Sequence, residues 1–174
     1  DIGSSTGGFS DCALQNGIKK IYAIDVGTDQ FDKTLRLNNK INLYENTDFR
    51  NIDNNIINDA NIASIDVSFI SVKKLTNKLK ELTNLKEIIC LIKPQFECGK
   101  EISDKYKGVP LNKEVHKSVI ENVIKSFKDN NYYINSLTSS PIKGSNGNIE
   151  YLAYFKRDKE RSINIEEVVN KAFF

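Results

Sequence analysis

Short apolar runs alternate with helix-period stretches along the whole chain, the pattern of a mostly parallel α/β sheet. Four runs read as buried strands: Ile21–Ile24, Ile41–Tyr44, Ile62–Ile65 and Glu87–Ile92. The first and third stop at Asp25 and Asp66, and the fourth, the most apolar, stops at Lys93-Pro94. Helices are predicted over Gly8–Asn16, with Gly17 as the stop, over Gln30–Leu37 and over Val72–Leu82. Parallel neighbours need such crossovers, because a tight turn joins only antiparallel strands.

The second half changes character. Gln95–Leu111 holds Gly99, Gly108 and Pro110 among charged residues and reads as a long mobile loop, a segment type that usually carries function. An amphipathic helix follows, with Val115, Val119, Ile120, Val123, Ile124 and Phe127 on one face and His116 expected at its surface. Tyr132–Leu137 and Asn148–Phe155, joined by residues 139–147 without a helix, predict an antiparallel hairpin that ends the sheet. Ser162–Phe174 reads as a last helix. One domain over residues 1–174 is expected. Asp1 reads as the end of a strand and the chain has no methionine, so a fragment is expected, with its first strand upstream.

Composition narrows the class. Apolar residues make up 39% and charged residues 28% of 174, which excludes a disordered chain. No apolar run approaches the roughly 20 residues a spanning helix needs, so no membrane partner is expected. The net charge of +2 says almost nothing for or against nucleic acid. Cys12, Cys90 and Cys98 form no C-x-x-C pair and are odd in number, which favours a reducing, cytoplasmic setting. With His116 alone, no histidine metal site is expected.

The chemistry gathers at strand ends, where open α/β sheets bind ligands. Asp1-Ile-Gly-Ser-Ser-Thr-Gly-Gly8 lies between a strand end and a helix start, and its glycines let backbone approach a ligand. Their spacing is not the G-x-G-x-x-G of dinucleotide sites. An acid before them suits a ligand with an ammonium and a sulfonium better than one with phosphates. Asp25, ending the next strand, is placed to accept ribose hydroxyls. A plain structural turn and a dinucleotide site remain alternative readings of the same loop. The candidate cofactor residues are Asp1, Gly3, Ser4, Ser5, Thr6, Gly7, Gly8, Phe9, Asp25, Asp48 and Asp66.

Lys93 caps the most apolar strand, and Glu150 falls in the hairpin strand expected to return beside it. A lysine between two carboxylates, Asp66 and Glu150, is an arrangement that draws a proton from a hydroxyl or stabilises its alkoxide. The catalytic candidates are therefore Asp66, Lys93 and Glu150, and a salt-bridge cluster without chemistry is the competing reading.

Asp1–Phe9, Ile65-Asp-Val-Ser-Phe-Ile-Ser71, Leu91-Ile-Lys-Pro-Gln-Phe-Glu97 and Ser140-Pro-Ile-Lys-Gly144 with Gly147-Asn-Ile-Glu150 together resemble the TlyA/haemolysin A family of FtsJ-like enzymes. The resemblance covers about Asp1 to Lys156. It implies a Rossmann-like class I S-adenosylmethionine-dependent methyltransferase fold. It also implies methylation of a cytidine ribose 2′-hydroxyl in 16S or 23S ribosomal RNA, with ribosomal RNA or a ribosomal subunit as partner. By motif position Asp66, Lys93 and Glu150 match the last three members of the family's Lys-Asp-Lys-Glu set. The first lysine and an S4-like RNA-binding domain would lie upstream.

Three rivals are weighed. A membrane-lytic toxin lacks any spanning or lytic helix pattern. An RNA-binding module without catalysis could use Lys73, Lys74 and Lys78, or Lys100, Lys105 and Lys107, although such clusters are often plain solvated faces. A base methyltransferase would favour a proline-rich turn where this chain has Asp66-Val-Ser-Phe69, or an activated cysteine where it has Cys90 and Cys98.

Overall fold

The computed structural model describes residues 1–174. Strands β1 (Ile21–Ile24), β2 (Ile41–Tyr44), β3 (Ile62–Ile65) and β4 (Glu87–Ile92) occupy the four apolar runs, and β5 (Tyr133–Ser139) and β6 (Tyr151–Lys156) follow. β1 pairs with β2 and β3 with β4 in parallel, while β6 lies antiparallel between β4 and β5. The hairpin thus closes a parallel sheet, as its missing crossover requires.

Ile2 links the two parts. It forms parallel bridges to Ile24 and Ile65, donating to Ser64 O at 2.9 Å and accepting from Asp66 N at 2.9 Å. The order is therefore β2-β1-Ile2-β3-β4-β6-β5. Below Ile2 the facing edges of β1 and β3 enclose a cavity of about 890 Å³ lined by Phe9, Ala13, Ile21, Ile62, Leu82 and others. Lys20 and Tyr22 meet Asp59 at 3.1 and 2.6 Å, and all three residues line the same cavity. This slot lies away from the strand ends and forms where two unpaired edges face each other.

The crossover helices are short: α1 (Gly8–Gln15), α2 (Lys33–Arg36), α3 (Asn54–Ile57) and α4 (Thr76–Glu81). Asp32 caps α2 by accepting from the amides of Thr34 and Leu35. The expected loop over residues 95–111 instead forms two helices, α5 (Pro94–Glu97) and α6 (Lys100–Lys105). Pro94 starts α5 at the position where its missing N–H costs nothing, and Gly99 turns the chain into α6. α7 (Lys113–Lys128), capped by Asn112, buries Val119, Ile120, Val123 and Phe127, and Phe127 stacks on Phe155 of β6 at 4.2 Å. α8 (Ile165–Ala172) packs against α7 and β5.

His116 corrects the surface expectation, since it is fully buried. One ring nitrogen lies 2.6 Å from Pro110 O and the other 2.8 Å from Tyr151 Oη, with Phe173 edge-on against the ring. Burial holds its pKa below the ordinary histidine value. Its folded pKa being the lower, the unfolded chain takes up protons first, so stability falls as pH drops below about 6.5. His116→Gln should flatten the fall in melting temperature between pH 7 and pH 5, and an unchanged slope would contradict this.

Candidate active site

Parallel neighbours end on one side of the sheet, so Ile2-Gly3, Asp25, Asp66 and Lys93 emerge at a common edge. The glycine loop is built by close approach. Gly3 has φ +78° and a Cβ there would overlap the carbonyl of Asp66. Gly7, at φ +99°, leaves no room against Leu35 and Phe31. Ser5 takes φ +46° and gives its amide to Asp25 Oδ2 at 2.7 Å, while Gly27 N donates to Asp25 Oδ1 at 2.7 Å. Asp25 therefore fastens the loop, and its remaining lone pairs are what a ligand would meet. Ser4 is buried and its Oγ has no partner within the protein. Thr6 and Gly8 sit exposed at the loop's rim.

Three expected cofactor residues are placed differently. The Asp1 carboxylate accepts from Ser10 Oγ at 2.6 Å and Ser64 Oγ at 2.8 Å, so it braces α1 against β3 and is not an open anion. Phe9 lines the slot, because α1 turns its apolar face there. Asp48 is engaged by the Arg50 guanidinium, 2.5 Å at the closest, which holds its carboxyl below the usual range.

On the other side of the loop, Lys93 Nζ lies 2.6 Å from Asp66 Oδ1 and 3.1 Å from Ser68 Oγ. Its side chain is only 12% exposed. Ile92 faces Tyr151 in the β4–β6 register, so Lys93 and Glu150 stand one step beyond the last paired residues. The expected lysine between two carboxylates is corrected here: Lys93 pairs with Asp66 alone, and buried Glu150 accepts from Gln95 Nε2 at 2.9 Å.

The sequence reading missed two features. Glu97, with a side chain 1% exposed, accepts from Ser71 Oγ and Val72 N at 2.6 Å each. It joins the loop carrying Asp66 to the turn carrying Lys93, and burial raises its pKa. Phe69 holds φ +62° and is 91% exposed, its ring 5.0 Å from that of Phe96. An aromatic residue in the left-handed region is strained and marks function more often than packing. Its only sequence signal was a large aromatic three residues after Asp66 at a strand end. Lys74, Lys100, Lys105, Lys107 and Lys143 are exposed, and each lacks an ion-pair partner. Cys90 and Cys98 are both held protonated by burial, Cys90 the more strongly, so neither is a nucleophile.

The chain matches the model of the FtsJ-like methyltransferase family over residues 1–157. It belongs to that family. This FtsJ-like domain is 42% identical over 159 residues to Hemolysin A of Brachyspira hyodysenteriae, covering 89% of this chain and 65% of that protein. It is 41% identical over 155 residues to the 23S rRNA (cytidine-2′-O)-methyltransferase TlyA of Campylobacter jejuni, covering 89% and 60%. The FtsJ-like domain thus spans under two thirds of the length of these curated relatives. A crystal structure from Lactococcus lactis, provisionally described as a hemolysin, superposes with a TM-score of 0.91 at 40% identity, over 98% of this chain and 85% of that one. The fold is that of S-adenosylmethionine-dependent methyltransferases, as in a Methanosarcina mazei structure at TM-score 0.58 and 14% identity, covering 90% of both chains. No helix of the domain is long and apolar enough to cross a membrane.

Proposed function

We propose that this domain transfers a methyl group from S-adenosylmethionine to a ribose 2′-hydroxyl, that of a cytidine in ribosomal RNA. The carrying observation is the Lys93–Asp66 pair at 2.6 Å, one residue beyond two neighbouring strands and next to the glycine loop. The donor set fits the cofactor: a loop that excludes Cβ atoms at Gly3 and Gly7, the unpartnered Ser4 Oγ, and the Asp25 carboxylate without a basic residue on it. Ser4 to Gly8, Asp25 and Asp66 are the residues that would hold it, with Asp48 after exchange of its Arg50 contact. When bound, S-adenosylmethionine supplies an electrophilic methyl on a cationic sulfur.

A ribose hydroxyl is a poor nucleophile until its developing charge is met. Lys93 lends a fixed ammonium to that oxygen, and Asp66 with Ser68 fixes its rotamer. Glu150, whose second oxygen has no partner, takes the proton. Phe69 and Phe96 offer a stacking surface for an unstacked base, and the free lysines meet phosphates. In the curated relatives' length there is room for a further RNA-binding part and for the first lysine of the set. We also read the β1–β3 slot as the seat of one more parallel strand of the same polypeptide.

Asp25→Ala should weaken S-adenosylmethionine binding by about 1–3 kcal/mol, because two loop amides and the ligand's hydroxyls lose their acceptor. Calorimetry on a folded variant with unchanged affinity would remove Asp25 from the cofactor site. The function itself is tested by incubating ribosomal subunits with labelled cofactor and asking whether label enters a ribose.

A further inference from the structure

The one-turn helix α5 reaches to both neighbouring segments. Glu97 ties it to Ser71 and Val72, and Gln95 points the other way, giving Nε2 to Glu150 Oε1 at 2.9 Å. Gln95 is 9% and Glu150 8% exposed. A carboxylate only accepts, so it fixes the amide of Gln95 with nitrogen inward and Oε1 away. That Oε1 is buried and has no partner anywhere in the protein, a rare condition for a folded chain.

Gly144 closes the arrangement from the hairpin loop. Its φ of −72° suits any residue, so backbone conformation does not demand glycine there. Space does: a Cβ at Gly144 would overlap the Glu150 carboxylate. Ser140 N, donating to Glu150 O at 2.8 Å, anchors the same loop. The carboxylate is thus confined between Gln95 and Gly144.

We propose that Gln95 is a positioning residue of the transfer: it holds the Glu150 carboxylate in place, and its unpaired Oε1 receives a hydrogen bond from a donor group of the acceptor nucleotide. This rests on the methyltransferase reading above. A base displaced by about an ångström loses most of its effect, so the consequence falls on turnover. The affinity for RNA, dominated by phosphate contacts, changes little.

The test uses the protein as its gene encodes it, with labelled S-adenosylmethionine and ribosomal RNA. Gln95→Leu should lower kcat by about 10- to 100-fold. The cofactor Kd should stay within about twofold, since the glycine loop is untouched, and KM for RNA within about threefold, since the lost Oε1 contact is one hydrogen bond beside the phosphate contacts that dominate that affinity. Gln95→Glu keeps the size but sets a second carboxyl against Glu150. Its kcat should fall likewise at pH 8 and recover on acidification, when the two carboxyls share a proton and one donates again. Neither substitution removes a member of the Lys93–Asp66 or Glu97–Lys73 pair. Wild-type kcat in folded Gln95→Leu overturns the inference, as does a loss matched by equal losses of cofactor binding and melting temperature. An inactive wild-type enzyme fails earlier and refutes the methyltransferase reading itself.

Discussion

Lys93→Ala lowers methyl transfer by at least about 10²-fold while leaving S-adenosylmethionine affinity nearly unchanged. The expectation follows from where the ammonium sits. It is held by Asp66 and Ser68, outside the glycine loop, so it meets the acceptor oxygen and not the body of the cofactor. Removing it leaves the developing alkoxide without a positive charge, and Asp66 without its ion-pair partner. Lys93→Arg should recover little, since a planar fork cannot occupy the position of a point charge held at 2.6 Å. Single-turnover rates and calorimetry together decide the matter. Equal losses of binding and turnover would make Lys93 part of the cofactor pocket instead.

A second large effect concerns the slot between β1 and β3. Residues 1–174 alone should be less stable than a longer product of the same gene that fills it, by at least about 4 kcal/mol, the scale of several lost core contacts. For a domain of this size that is roughly 8–16 °C in melting temperature. The slot is apolar, and Ile2 shows the register an inserted strand would continue, donating to Ser64 and accepting from Asp66. An environment-sensitive apolar dye should bind the short form and be excluded from the long one. Equal melting temperatures with no dye binding by either would mean that the slot closes without a strand.

The strands were legible because buried parallel strands are continuous apolar runs: Ile21–Ile24 and Glu87–Ile92 begin and end where the polar residues do. Their polar stops, Asp25, Asp66 and Lys93, were legible as a group because parallel topology brings such stops to one edge. Partnerships were not. Glu150 and Gln95 are 55 residues apart, and only the hairpin register brings them together. His116 looked like a surface residue because Tyr151 and Phe173, which cover it, come from distant segments. The helix α6 was hidden by Gly99 and Gly108, which punctuate a loop and a short helix alike. Asp1 and Phe9 were assigned to the cofactor by motif position, but nearby serines and the facing of α1 turn them inward.

The central claim, oxygen methylation of a ribose, has a direct chemical readout. Alkali cleaves RNA through the free 2′-hydroxyl, so a nucleotide methylated there survives as part of an alkali-stable dinucleotide. Ribosomal RNA treated with this enzyme and labelled S-adenosylmethionine, then hydrolysed in alkali, should carry its label in such a dinucleotide with cytidine on the 5′ side. Label released in mononucleotides would place the methyl on a base and contradict the account.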